Sequence, residues 1–283
     1  MKLWTKLAAA AALTVVVTGP VYAQQAAPQP ASIGGHPNLN GIWQALNTAF
    51  WDLEPHSAQT SPVAERAVGA IGAIPAGLGV VEGGEIPYLP EAKAQRDANR
   101  RNAVAQDPEA GCYLPGIPRA TYMNYAFQII QGNDDDILVA YEYASANRVI
   151  YMRDTEIPPI DTWMGTSYGA WEGNTLVVTT LAQNGQSWLD RAGNYLTSTS
   201  TVVERFTPKG PNHIDYQATI SDPALYSKPW TIKMPLYRKV EDNAQLLEFK
   251  CVPFAEVHLY GDLLELGDTP APAAAAPAAE SAN

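Results

Sequence analysis

Cysteine is scarce in this chain: Cys112 and Cys251 are the two in 283 residues. Neither lies in a C-x-x-C and neither has a basic cluster beside it, which argues against redox exchange or a reactive thiol. Basic residues are also few, 18 Lys and Arg against 29 Asp and Glu, for a net charge of −11. A chain this acidic is poorly suited to nucleic acid or an anionic membrane surface, since phosphates are repelled. Histidine occurs at His36, His56, His213 and His258 only, with no HxH or HExxH pairing, so no zinc site is expected. Asn133 to Asp136 gathers oxygen side chains but lacks the spacing and downstream Glu of a calcium loop. Gly83-Gly84 is an ordinary turn signal, so no nucleotide loop is expected either, and no cofactor is assigned.

Long apolar runs are missing after the N-terminus. Leu7 to Val17 is the one such run, and it falls short of the ~20 residues that span a bilayer. Lys2 and Lys6 precede it, and Val21-Tyr22-Ala23 follows with a small residue before Gln24. This is the layout of a secretory signal over residues 1–23, with a membrane-anchoring helix as the alternative. The mature protein is then expected in the periplasm or secreted, without a membrane span. In that oxidising setting two cysteines suggest one bridge, Cys112–Cys251, with free buried thiols the alternative.

Helical periodicity is thin as well. Glu91 to Val104 has good helix formers after Pro90 and is polar nearly all round, which places it on the surface; Pro62 to Val68 is a second short candidate. What the chain has instead is short β patterns from about Tyr122 to Lys250. They are Phe127–Gln131, Ile137–Tyr143, Val149–Arg153, Tyr168–Trp171, Thr175–Thr180, Thr201–Phe206, His213–Ile220, Thr231–Tyr237 and Gln245–Lys250, with turn residues between them. The reading is an all-β, mostly antiparallel domain. It is a curled sheet or β-barrel, lipocalin-like in general shape, with one or two short N-terminal helices. Residues 24–35 read as an Ala/Pro/Gln linker, 36–267 as one domain, and 268–283 as an Ala/Pro tail.

Alternation assigns faces. In HIDYQATI, Ile214, Tyr216, Ala218 and Ile220 share one face; in TVVERF, Glu204 shares the face of Val202 and Phe206; in ILVAYEY, Tyr141 and Tyr143 share the face of Ile137 and Val139. Tyr and Trp with a few polar groups in an apolar interior suit a small apolar or aromatic ligand, with plain core packing as the alternative. The ligand-binding candidates are Tyr141, Tyr143, Trp163, Trp171, Trp188 and Tyr216.

Leu39-Asn-Gly-Ile-Trp43, Asp107 to Arg119 (DPEAGCYLPGIPR), Thr162-Trp-Met-Gly165, Trp171 to Val178 (WEGNTLVV) and Glu248-Phe-Lys-Cys251 together resemble a family of exported bacterial proteins of uncharacterised function. The resemblance spans about residues 39–261 and implies one exported domain; it supplies no reaction and no catalytic residue.

Gly165-Thr-Ser167-Tyr-Gly169 matches G-x-S-x-G, but no apolar strand precedes it and no helix follows, so the nucleophile-elbow reading fails on context. Acid/base chemistry remains, carried by charges placed beside aromatics: Asp161, Tyr168, Arg119, Glu204 and His258. Arg119, presented by Pro115-Gly-Ile-Pro118, could pair with a substrate anion. The expected function is binding of a small hydrophobic or aromatic molecule in a barrel-like cavity, with metal-independent lyase, isomerase or hydrolase chemistry as an extension. A non-catalytic carrier and a structural or interaction domain are the alternatives.

Overall fold

The computed structural model describes residues 31–59, 73–133, 136–153, 156 and 159–260. The leader, the 62–68 helix candidate and the Ala/Pro tail lie outside these residues. A two-stranded hairpin, β1 (Ser32–Ile33) and β2 (His36–Pro37), comes first, inside and just after the stretch read as linker. Its turn, Gly34-Gly35, has φ of 57° and 80°, the left-handed pair that a two-residue hairpin loop needs and that glycine adopts freely.

Nine strands then close a barrel: β3 (Gly41–Ala45), β4 (Phe127–Ile130), β5 (Ile137–Tyr141), β6 (Asn147–Tyr151), β7 (Thr166–Glu172), β8 (Thr175–Leu181), β9 (Thr201–Gly210), β10 (His213–Ser221) and β11 (Trp230–Arg238). They follow one another in chain order around the wall, and β11 pairs with β3 to shut it. Each neighbouring pair is antiparallel except β6 and β7, which run parallel. The reason is the connection over residues 152–165, which carries the chain back to the end where β6 began.

The alternation read from sequence holds except at Tyr143, which the 3₁₀ turn Tyr143–Ser145 carries off β5 and out of the lumen. Val202, Glu204 and Phe206 of β9 and Ile214, Tyr216, Ala218 and Ile220 of β10 are buried, as are Leu176, Val178 and Thr180 of β8. Trp43, Phe127, Ile137 and Ile150 fill the same lumen. Two strand expectations need correction. Gly41–Ala45 is a strand, and its pairing with β11 uses the edge that Gln245–Lys250 would have needed. That last segment is not a strand; it runs along the outside, with Leu247 N–H donating to Glu142 Oε2 at 3.1 Å and Phe249 packing on Tyr125 and Tyr143.

The barrel has two unlike ends. β3, β5, β8 and β10 run toward what we term the upper end, and β4, β6, β7, β9 and β11 run away from it. The longest connections between antiparallel neighbours gather at the upper end, residues 46–126, 182–200 and 222–229, with the short 142–146 connection beside them. They carry α1 (Pro90–Arg101), α2 (Ala103–Gln106) and α3 (Arg119–Tyr122). α1 matches the expected helix, yet it is not a free surface helix: Ala92, Arg96 and Asn99 are buried, and Arg96 pairs with Glu54 at 3.0 Å. The lower end has short turns, such as Gly173-Asn174 between β7 and β8, together with the β1–β2 hairpin. A final helix, α4 (Ala255–Tyr260), follows the Cys112–Cys251 disulfide, whose Cα atoms are 5.9 Å apart.

Candidate functional site

In the upper lumen a polar group crosses the barrel. Arg148 projects inward from β6 and Glu204 from β9, three strands apart around the wall, so they meet through the interior. Arg148 NH1 donates to Glu204 Oε2 at 2.6 Å and NH2 to Oε1 at 3.2 Å. The Tyr216 hydroxyl donates to Oε1 at 2.7 Å and the Thr121 hydroxyl reaches the same oxygen at 3.4 Å. Arg148 NH1 also lies 3.5 Å from Ser167 Oγ, which shares a hydrogen bond with Thr180. Burial, then the neighbouring Glu204 charge, pushes the Tyr216 phenol well above its ordinary value. Tyr141 lies beside this group; burial raises its phenol to about 12. The carboxylate of Glu204 is thus fully engaged.

Above that layer lies α3, with all four residues buried. Thr121 faces down to Glu204, whereas Arg119 faces away and makes a bidentate pair with Asp107 at 2.8 Å and a third bond to Glu109 at 2.6 Å. Arg191 makes a bidentate pair with Glu109, Nε to the shared Oε2 at 2.8 Å and NH2 to Oε1 at 2.6 Å, and stacks over Trp51, 4.4 Å from the ring centre. Burial alone would raise the Glu109 carboxyl; Arg191 and Arg119 outweigh it and hold it below the usual range. The Tyr143 hydroxyl donates to Glu109 O, so Tyr143 belongs to this layer. Asp190 accepts from Leu53 N, Ala192 N, Asn194 N and Asn194 Nδ2 at 2.6–3.1 Å. Burial and the Asp52 charge nonetheless push it up to about 7.

The lower end is different. Trp171, Gly169 and Ile137 point inward at this rim, and the β1–β2 hairpin brings His36 flat over Trp171, with ring centres 4.6 Å apart and planes 3° apart. Between them and Ile33, Gln131, Gly132, Met152 and Ala170 lies a half-open pocket of about 410 Å³. Gly169 is required here because a Cβ would lie 2.5 Å from Met152 Sδ and 2.6 Å from Ile150 Cγ2. Gln131 is held in place as its Oε1 accepts from Leu39 N at 2.9 Å. Arg238 covers the opposite part of this rim, lying 4.3 Å over the Trp43 ring and donating to Pro211 O at 2.7 Å.

The structure sorts the expected site residues. Glu204, Tyr216 and Tyr141 come together as inward groups, and Trp171 lines the open pocket. Arg119 does not await a substrate anion; Asp107 and Glu109 occupy it. Asp161 and His258 are exposed on the outside of the molecule. Tyr168 faces the outer wall beside Tyr151, 6.3 Å away, because the register that turns Ser167 inward turns Tyr168 out. Trp163 stacks on Tyr113 at 5.0 Å, next to the disulfide. Trp188 is buried in the 182–200 connection, paired with Tyr195. Sequence reading missed Arg148, His36, Gln131 and Met152. Arg148 was within reach, since N-R-V-I-Y places it on the face of Ile150.

No group of three His, Cys, Asp or Glu among the described residues is placed to hold a metal ion, and no described helix is long and apolar enough to cross a membrane. No family model, characterised protein or solved structure matches this chain.

Proposed function

We propose that this protein binds a small apolar or aromatic molecule at the lower mouth of its barrel. The observation that carries the reading is the half-open pocket of about 410 Å³ over Trp171. Its size lies within the ~300–1,000 Å³ of small-molecule sites, and barrel mouths are a recurrent place for them. Its lining sets the apolar and aromatic side chains of Ile33, Ile137, Met152 and Trp171 beside the polar atoms of His36, Gln131 and the backbone, which can hold an apolar body and fix its orientation. The mid-lumen is packed with side chains, so the mouth rather than the centre of the barrel takes the ligand. Asp161, Tyr168, Arg119, Glu204 and His258, read as acid/base candidates, are not among the residues that line this pocket, so the reading is binding.

The test is a thermal-shift screen of the oxidised protein against small aromatic and alicyclic compounds, followed by product analysis for every hit. Saturable stabilisation by at least one compound class, abolished in Trp171→Asp, supports the reading. A Tm unmoved by every class, with indole fluorescence also unchanged, defeats it. Conversion of a hit to product would move the protein from carrier to enzyme.

A further inference from the structure

Resting on that reading, we propose that the mouth selects a flat, uncharged aromatic molecule carrying a carbonyl or other hydrogen-bond acceptor at its edge, stacked on Trp171 and oriented by Gln131. Three observations carry this. The first is shape. Trp171 and His36 stack on one another, parallel to within 3° with ring centres 4.6 Å apart, so a flat aromatic stack already stands in the pocket wall. A planar ring that extends this stack gains the offset-stacked geometry that aromatic quadrupoles favour; a saturated ring of equal volume gains burial alone. Met152, whose sulfur lies against Gly169 in the lining, adds a polarisable thioether that suits a ring edge.

The second is charge. Among the described residues the lining is Ile33, His36, Gln131, Gly132, Ile137, Met152, Gly169, Ala170 and Trp171, and none of these is Asp, Glu, Lys or Arg. Asp136 and Arg153, nearby in the chain, are spent on each other at 2.9 Å, and Asp136 also accepts from Met152 N at 3.0 Å. A charged ligand would lose water without gaining a paired ion, so the site favours neutral molecules.

The third is hydrogen bonding. Gln131 has its Oε1 committed to Leu39 N–H, and its backbone carbonyl accepts from Asn40 Nδ2 at 3.0 Å. Its backbone N–H donates to Asn40 Oδ1 at 2.7 Å. These bonds fix which way the amide points and leave the Nε2 amide hydrogens as the donor of a positioned side chain. A ligand acceptor is the group they complement.

The experiment is fluorescence or calorimetric titration of the intact, oxidised protein with matched probes: 2-quinolinone, its saturated analogue, naphthalene and 2-naphthoate. We expect 2-quinolinone to bind about tenfold more tightly than the saturated analogue and than 2-naphthoate, and several-fold more tightly than naphthalene. Trp171→Phe should hold affinity within about threefold, Trp171→Leu should lose about tenfold, and Gln131→Glu, which keeps the acceptor for Leu39 but removes the amide donor, should erase the preference for 2-quinolinone over naphthalene. The Tm of each variant checks that it is folded. Equal affinity for the aromatic and saturated probes, still lost in Trp171→Asp, overturns this inference while leaving ligand binding at the mouth intact. Tighter binding of 2-naphthoate overturns the neutral-ligand assignment. No binding of any probe, nor of any compound in the wider screen, overturns both.

Discussion

The two ends of this barrel solve opposite problems. At the upper end, long connections fold inward and bury charge in layers: Arg148 and Glu204 across the lumen, Arg119 with Asp107 and Glu109 above α3, and Asp190 near Asp52 beyond. At the lower end the connections are short, the inward residues are apolar or aromatic, and a two-residue-strand hairpin leaves a pocket. Buried ion pairs add little net stability over apolar packing, but they are costly to break singly. The upper end is thus built to be specific and hard to open. The lower end is packed less tightly around its pocket, which is where the proposed ligand would sit.

The largest expected effect comes from untying the upper end covalently. Cys112 and Cys251 are separated by 139 positions, and a loop of this length corresponds to about 5 kcal/mol in the chain-entropy account. Cys112→Ser/Cys251→Ser should lower the urea midpoint accordingly, with the barrel circular dichroism retained in the absence of denaturant. A double variant as stable as the parent would show that the clamp only tethers residues 239–251 to the outside of the barrel.

Next is the lumen pair. Arg148→Met leaves Glu204 buried without its cation and should cost about 3–5 kcal/mol by equilibrium denaturation. Arg148→Met combined with Glu204→Leu should recover much of that loss, because apolar groups of similar volume then fill the space. If the single and double variants are equally destabilised, packing around Arg148 matters more than the unpaired charge, and the picture of a charged seal fails.

That pair also shows what was readable in advance. Period-two alternation placed Glu204, Tyr216 and Tyr141 on the inner face, since a strand buried on one side has no other way to hide its apolar residues. The barrel class followed from the spacing of strands and turns. Other features depended on tertiary context. Gly41–Ala45 is too short and glycine-led to announce a strand, and it becomes one because β11 and β4 each lack a neighbour. Arg119 looked like an anion receptor because its acidic partners, Asp107 and Glu109, reach it only through a loop folded over α3. Tyr143 shares a period with Tyr141 in sequence but leaves the lumen, since the chain turns through a 3₁₀ segment with Ala144 at φ 52°. The mouth was hardest to see. His36, Gln131 and Met152 come from a hairpin and two strand ends that meet only once the barrel is closed.

A pH titration separates the ends without mutation. Asp190 has its folded pKa raised to about 7 from an ordinary 3.8, chiefly by burial and then by Asp52. The folded state therefore holds a proton that the unfolded chain releases. Asp190 favours folding in full below the unfolded value, and that contribution is lost as pH rises toward 7. At about 1.4 kcal/mol per unit, stability should fall by up to about 2–3 kcal/mol between pH 5 and 7.5. Urea midpoints across that range measure it. Asp52→Asn removes the neighbouring charge, lowers the Asp190 pKa and should flatten the profile. A profile that rises over the same range would mean that the four hydrogen bonds donated to Asp190 outweigh its burial and keep it ionised.

The smallest expected change in stability belongs to the lower end, and it is the sharpest check on the comparison. His36 is half-buried, and its ring contact is the stack on Trp171. His36→Ala should therefore shift the urea midpoint by no more than about 0.5–1 kcal/mol, in the range of partly exposed positions away from core and ion pairs. The same substitution removes one ring of the stack that lines the pocket, so it should weaken an aromatic probe measurably while barely touching the fold. If His36→Ala instead unfolds the protein as readily as Arg148→Met, the hairpin is a structural latch on the barrel. Both ends would then serve stability, and the mouth would lose its standing as the place where the fold was left open for a ligand.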